Sequence, residues 1–123
     1  MLLDNFFFIL TRKVADQSIQ TRIRIDKHHK IFNGHFPAVP IVPGVCMLEI
    51  IREIVEQHFG RAFRIDSADS IKFLTVINPM ENDEVQAGID FEETGNRSVR
   101  ISATLFAGEL IFFKLKGLLE SQQ

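Results

Sequence analysis

The residues best placed to do chemistry lie between His35 and Glu49, in the stretch His-Phe-Pro-Ala-Val-Pro-Ile-Val-Pro-Gly-Val-Cys-Met-Leu-Glu. Pro37, Pro40 and Pro43 fix φ at every third residue, so the backbone here is stiff and largely extended. That stiffness holds His35 at a set distance from whatever begins at Gly44. Gly44, without a side chain, lets another group approach the backbone closely. If a helix starts there, the amides of Gly44 and Val45 have no intrahelical partner and point toward the same region. Glu49 would then sit about one and a half turns in, among apolar residues, where a carboxyl is costly unless it has a partner or a task. A histidine, a partly buried carboxyl and free amides suit proton removal next to a carbonyl. The imidazole takes the proton, the amides hold the developing oxyanion and the carboxyl protonates a leaving group. Spacing alone does not bring His35 and Glu49 together within one chain.

The elements that must position these residues are legible from periodicity. Phe6 to Lys13 reads as a first strand, and Ala15 to Ser18 as a turn. Ile19, Thr21, Ile23 and Ile25 then alternate with Gln20, Arg22, Arg24 and Asp26, the period of a half-buried strand. His28 to Pro43 reads as ordered loop. Gly44 to Phe59 is the long helix, opened by Pro43 and stopped by Gly60. Its first half is apolar nearly all round and should be buried on most sides. Arg52, Glu53, Glu56 and Gln57 should bring the second half toward solvent. Ser70 to Ile77 alternates again, with Ile71, Phe73 and Thr75 on one side. Asp83 to Glu93, Val99 to Leu105 and Leu110 to Leu115 follow, with turns at Thr94-Gly95-Asn96 and Ala107-Gly108-Glu109. These last three form an antiparallel meander. Two strands, one helix and four strands predict an α+β fold over residues 1–123 as a single domain, its antiparallel sheet wrapped round one long central helix.

The window from Gly34 to Glu49 resembles the signature of the β-hydroxyacyl-acyl carrier protein dehydratases of the FabA/FabZ type. Gly34-His35-Phe36-Pro37, Pro40-Ile41, Pro43-Gly44-Val45 and Glu49 match that pattern position by position. The strand and helix order is similar to the hot-dog fold of the same family over nearly the whole chain. The resemblance implies that His35 removes the α-proton of a 3-hydroxyacyl thioester. Glu49, from the partner chain of a dimer, assists departure of the 3-hydroxyl as water. It also implies substrate binding by Gly44, Val45, Phe36 and Ile41, the Gly44 amide on the thioester carbonyl and the Ile41 carbonyl behind the His35 ring. No cofactor and no metal is implied. The implied partners are an acyl carrier protein and further copies of the chain, as a homodimer or a trimer of dimers. Two positions depart from the FabZ pattern, which places Ala and Gln where this chain has Ile50 and Glu53. Ile50 is expected to narrow the acyl tunnel. Glu53, one turn from Glu49, is expected either to raise its pKa by repulsion or to point to solvent beside Lys or Arg. The start of the chain also reads as lacking most of the family's leading helix.

Composition bounds the alternatives. The 123 residues are 46% hydrophobic and 24% charged with a formal net charge of −2, so neither disorder nor general nucleic-acid binding fits. One cysteine, Cys46, excludes an intrachain disulfide and a multi-cysteine zinc site and suits a reducing, cytoplasmic setting. No apolar run reaches 18 residues, and Arg12 and Lys13 follow the apolar start instead of preceding it, so no membrane span or export signal is expected. Competing readings remain for single residues. Asp26, His28, His29 and His35 form a conceivable but poor metal set, and His28 and His29 read as ordinary loop residues. Glu49 has an i,i+3 neighbour in Arg52. Cys46 reads as a small core residue. Phe6-Phe7-Phe8 and Phe112-Phe113 fit a tunnel, an interface or plain core. The six basic residues between Thr11 and Lys30 fit either a docking face for an acidic carrier or a solvated strand face. As alternatives in function, a hot-dog thioesterase, a hydratase of coenzyme A esters and a catalytically weak acyl-carrier-binding subunit of a hetero-oligomer share this sequence pattern.

Overall fold

The computed structural model describes residues 1–34, 39–95 and 97–122; His35, Phe36, Pro37, Ala38, Asn96 and Gln123 lie outside them. The elements are β1 (Phe7–Ala15), β2 (Ser18–Ile25), a short 3-10 turn (Lys30–Asn33), α1 (Gly44–Phe59), β3 (Phe63–Phe73), β4 (Glu84–Thr94), β5 (Ser98–Ala107) and β6 (Leu110–Ser121). All six strands join one antiparallel sheet in the order β1-β2-β4-β5-β6-β3. The β4-β5-β6 meander is as expected. β3 follows the helix in sequence but crosses to the far edge, beside β6.

One face of the sheet is apolar and packs on α1. Ile19, Ile23 and Ile25 of β2, Val85, Ala87 and Ile89 of β4, and Val99, Ile101 and Leu105 of β5 are almost fully buried. From α1 they meet Met47, Ile50, Ile51, Ile54 and Val55, also buried. Each such side chain contributes roughly 1.5–3 kcal/mol on leaving water, so this layer dominates the stability of the fold. The phenylalanines divide between roles. Phe6, Phe7, Phe112 and Phe113 are fully buried core, while Phe8 is half-buried beneath the Arg24 guanidinium. α1 ends where predicted: Gly60 takes φ 69°, a left-handed turn, and its amide donates to the Glu56 carbonyl at 2.8 Å.

Two strands differ most from their sequence-based bounds, the others by one or two residues at an end. β3 starts at Phe63 and stops at Phe73, so Leu74 to Ile77 lie beyond it. Its register shifts between Ile65 and Ser67 and again between Ala68 and Ser70. Two bulges on a mostly exposed edge strand erase the alternation by which a half-buried strand is recognised. Ile71 and Phe73, expected on a common side, are both exposed. β6 runs on to Ser121, six residues past Leu115. Its extension contains Gly117, which faces the bulged region of β3. A Cβ at Gly117 would lie 2.5 Å from the Ser67 carbonyl oxygen, a backbone atom that cannot move aside cheaply.

Gly117→Ala is therefore expected to disturb the β3-β6 ladder and cost about 1–3 kcal/mol. Urea unfolding followed by far-UV circular dichroism checks this, since the chain has no Trp or Tyr to report by fluorescence.

Candidate active site

The N-terminus of α1 opens on an apolar groove of about 500 Å³, lined by Ile41, Pro43, Gly44, Met47, Phe73 and Val76 among others. Pro43 precedes the first helical residue and offers no side-chain cap, so the first amides of α1 are left to other acceptors. Among the described residues the ring of Phe73 lies against Gly44: a Cβ at Gly44 would stand 2.8 Å from its Cε1. The Val42 amide donates to the Ile77 carbonyl at 2.9 Å and pins the approach to the helix against the segment after β3. Ile50, expected to narrow such a channel, is instead fully buried in the core and is not among the residues lining the groove.

Ile41 and Gly44 thus share one groove, with Val45 next along the helix. Val45 is 67% exposed, against the expectation that this half of α1 is buried on most sides. His35 and Phe36 lie outside the described residues, so their relation to the groove is not described. Glu49 stands four residues after Val45, on the same stripe of the helix, and does not line the groove.

Glu49 is not isolated among apolar side chains. Arg52 holds it side-on, Nε donating to Oε1 at 3.0 Å and Nη2 to Oε2 at 2.6 Å. The i,i+3 pairing is thus formed, with the Glu49 side chain 36% exposed and that of Arg52 22%. Arg52 is itself fixed on its other side. Its Nη1 donates to Glu56 Oε2 at 2.5 Å and to the Phe63 carbonyl at 2.9 Å, and the Phe63 amide donates to the same Glu56 oxygen at 2.8 Å. The hydrogen bonds from Arg52 hold the Glu49 carboxyl below the usual carboxylate range, against an opposing push from burial. The pair therefore stabilises the fold above that range, and its contribution fades as pH falls through the depressed value.

Glu53 behaves unlike either expectation. It neither repels Glu49 upward nor reaches solvent. It is fully buried and accepts from the Leu2 amide at 3.0 and 2.9 Å on its two oxygens and from the Leu3 amide at 2.8 Å. The carboxylate thus takes up backbone donors of the first residues and ties them to the middle of α1. Nothing in local periodicity announces this, because the acceptor and its donors are some fifty positions apart.

The other candidates have contacts within the fold. His29 Nδ1 accepts from the Ile31 amide at 3.0 Å, capping the 3-10 turn, and its Nε2 lies 2.6 Å from Asn5 Oδ1. Asp26 accepts from the His28 amide at 2.9 Å. Among the described residues no three His, Cys, Asp or Glu side chains converge as a metal site. Cys46 is buried, and burial together with the nearby Glu49 charge pushes its thiol up. Of the basic residues between Thr11 and Lys30, Arg12 donates to Gln57, Arg22 pairs with Glu84, Lys27 with Asp83, and Arg24 stacks on Phe8. Among the described residues no helix is long and apolar enough to cross a membrane.

Against known proteins, residues 11–107 match the family model of ApeI-like proteins, described as ApeI dehydratase. The match covers most of the chain, and the chain belongs to this dehydratase family. Curated relatives include the 3-hydroxyacyl-acyl-carrier-protein dehydratase FabZ of Lactobacillus helveticus, 29% identical over 51% of this chain and 47% of that protein. The FabZ of Latilactobacillus sakei is 28% identical over 56% of this chain and 54% of its own. The chain thus spans about half the length of these curated relatives. Among solved structures, the dehydratase heterocomplex ApeI:P of Xenorhabdus doucetiae superposes with a TM-score of 0.72 at 18% identity, covering 92% of this chain and 96% of that one. A hypothetical thioesterase of Streptococcus pneumoniae, solved with coenzyme A, gives 0.65 at 10% identity, covering 98% and 91%. These likenesses establish the hot-dog fold.

Two outcomes follow from the buried groups. Glu53→Ala leaves the Leu2 and Leu3 amides without their acceptor, at a cost of about 1–3 kcal/mol for each donor that stays buried. Hydrogen exchange at the N-terminal peptide should accelerate, and an unchanged rate would contradict the anchoring role. Cys46 should resist iodoacetamide in the native protein at mildly alkaline pH and react fully in urea, as read by intact mass.

Proposed function

We propose that this protein dehydrates a 3-hydroxyacyl thioester, carried on an acyl carrier protein, to the trans-2-enoyl thioester. The observation that carries this reading is the dehydratase family match over residues 11–107, a span that contains Gly34-His35-Phe36-Pro37, Pro43-Gly44-Val45 and Glu49. The apolar groove at the head of α1 supports it, since an acyl chain needs a dry, elongated site. In this mechanism the His35 imidazole takes the α-proton. The amide of Gly44, at the positive end of the helix, receives the thioester oxygen as its charge grows. Glu49 assists departure of the 3-hydroxyl. Ile41, which lines the groove, is assigned to substrate binding together with Val45 and Phe36.

The protein works as a homodimer or a higher assembly of dimers, and Glu49 acts on the substrate bound beside His35 of the other chain. Two features support this. Val45, on the stripe that carries Glu49, is exposed, as are Phe73, Leu74, Val76 and Met80 around the β3 end. β3 is also an edge strand, with no further strand beside it among the described residues. A second copy is the partner that covers both.

Incubation with 3-hydroxyacyl carrier-protein thioesters of graded length, read by intact mass, tests the reading. Loss of one water that His35→Ala abolishes is the expected result. Release of free carrier would instead identify a thioesterase, and binding without turnover a non-catalytic subunit. Mixing His35→Ala with Glu49→Gln protein, each inactive alone, should restore about a quarter of wild-type activity by random pairing of chains in a two-fold dimer. No recovery after demonstrated subunit exchange would place both groups in one chain.

A further inference from the structure

We propose that Arg52 is a positioning residue of this reaction: its two-point hold on Glu49 presents that side chain to the substrate as an ionised hydrogen-bond acceptor, not as a proton donor. The inference rests on the dehydratase reading above and adds a residue and a proton route to it.

The geometry leaves Glu49 little freedom. Both carboxylate oxygens accept from the guanidinium, at 3.0 and 2.6 Å, in the side-on arrangement that matches the planar fork of Arg to a carboxylate. Arg52 does not move away at small cost. Its remaining contacts run to Glu56 and to the Phe63 carbonyl at the start of β3, so releasing Glu49 by swinging Arg52 out would unpair both. Among the described residues the charged and titratable groups that bear on Glu49 are few. On α1 they are Arg52, the buried Glu53 and the Cys46 thiol, whose proton burial retains. From outside the helix comes the α-amino group of Met1, brought close by the segment that Glu53 anchors. The guanidinium and the amino group both favour the carboxylate.

An ionised Glu49 cannot supply the proton that leaves with the hydroxyl, so the imidazole must do so. The α C–H bond breaks and its proton passes to His35. The electron pair left behind forms the C2–C3 double bond as the C3–O bond breaks and its own pair departs with oxygen. That oxygen takes the same proton back from the imidazolium and leaves as water. One proton is taken and one returned, and neutral His35 is regenerated. Glu49 accepts a hydrogen bond from the 3-hydroxyl, which orients the breaking C3–O bond for protonation of the departing oxygen.

The two roles of Glu49 predict opposite effects of loosening it. Full-length wild type, Arg52→Met and Arg52→Lys are compared in two ways. The first is carbon-13 titration of the Glu49 carboxyl, its resonance assigned by Glu49→Gln. The second is a pH profile of kcat and KM on a 3-hydroxyacyl carrier-protein thioester. In Arg52→Met the carboxyl should titrate at higher pH. kcat at neutral pH should fall about tenfold or more, the acid limb of kcat should move to higher pH, and KM should stay within about twofold; Arg52→Lys, which keeps the charge, should recover part of the loss. A carboxyl titration that Arg52→Met leaves unmoved overturns the proposal. So does a neutral-pH kcat that rises, because a freed general acid would be protonated more often. Should Arg52→Met not fold, by circular dichroism, the Lys variant carries the same comparison, and wild-type kcat without loss overturns the proposal. A wild-type protein that dehydrates no substrate removes the dehydratase reading itself, a result distinct from a dehydratase indifferent to Arg52.

Discussion

Burial of α1 against one face of the antiparallel sheet is the constraint on which the rest of this molecule depends. Five side chains of the helix, Met47, Ile50, Ile51, Ile54 and Val55, leave water there. Among the described residues α1 is the one α-helix. Because the helix is held this way, its N-terminus, with the uncapped amides after Pro43, is delivered to a fixed place beside Phe73 and the segment that follows β3. The groove lies between that helix end and two loop segments, residues 41–43 before it and residues 74–76 after β3.

The same burial sorts the polar residues of the helix by where they emerge. Glu49, Arg52 and Glu56 fall on the stripe that escapes the core, and they satisfy one another and the Phe63 peptide in one connected network. Glu53 falls on the buried side. A carboxylate there would be prohibitive without donors, and the backbone amides of Leu2 and Leu3 provide them. Two glutamates four residues apart thus do opposite things: one knits the chain's start to its central helix, the other stands at the helix surface under the control of an arginine. In the FabZ pattern the position of Glu53 is Gln. Its replacement by Glu here has a structural reason in the N-terminal segment, and no contact with the groove is needed to account for it.

Much of the fold was readable without coordinates. The alternation Ile19-Ile23-Ile25, the Pro43 and Gly60 boundaries of the helix and the Gly-containing turns of the meander each express a local rule that the folded chain obeys. The misread segments are those where tertiary geometry breaks the local period. The two bulges of β3 misalign its alternation, and the strand read as ending at Leu115 continues through Gly117, where the missing side chain admits the Ser67 carbonyl. For the site, the residue types and spacing from Gly34 to Glu49 carried the family resemblance, and Arg52 was visible as a helical neighbour. The side-on geometry of that pair, and the anchoring of Arg52 by Glu56 and Phe63, required the start of β3 to be in place.

The sequence by itself determined what lies within a few turns of the chain: the period of each strand, the ends of the helix, and the inventory of groups near its N-terminus. Those depend on steric and hydrogen-bonding preferences of adjacent residues. Only the tertiary structure decided which glutamate is buried, that β3 lies at the far edge beside β6, and that Phe73 covers Gly44. Each of these is a contact between segments remote in sequence, and its free energy comes from burial and pairing that exist only once the sheet has closed on the helix.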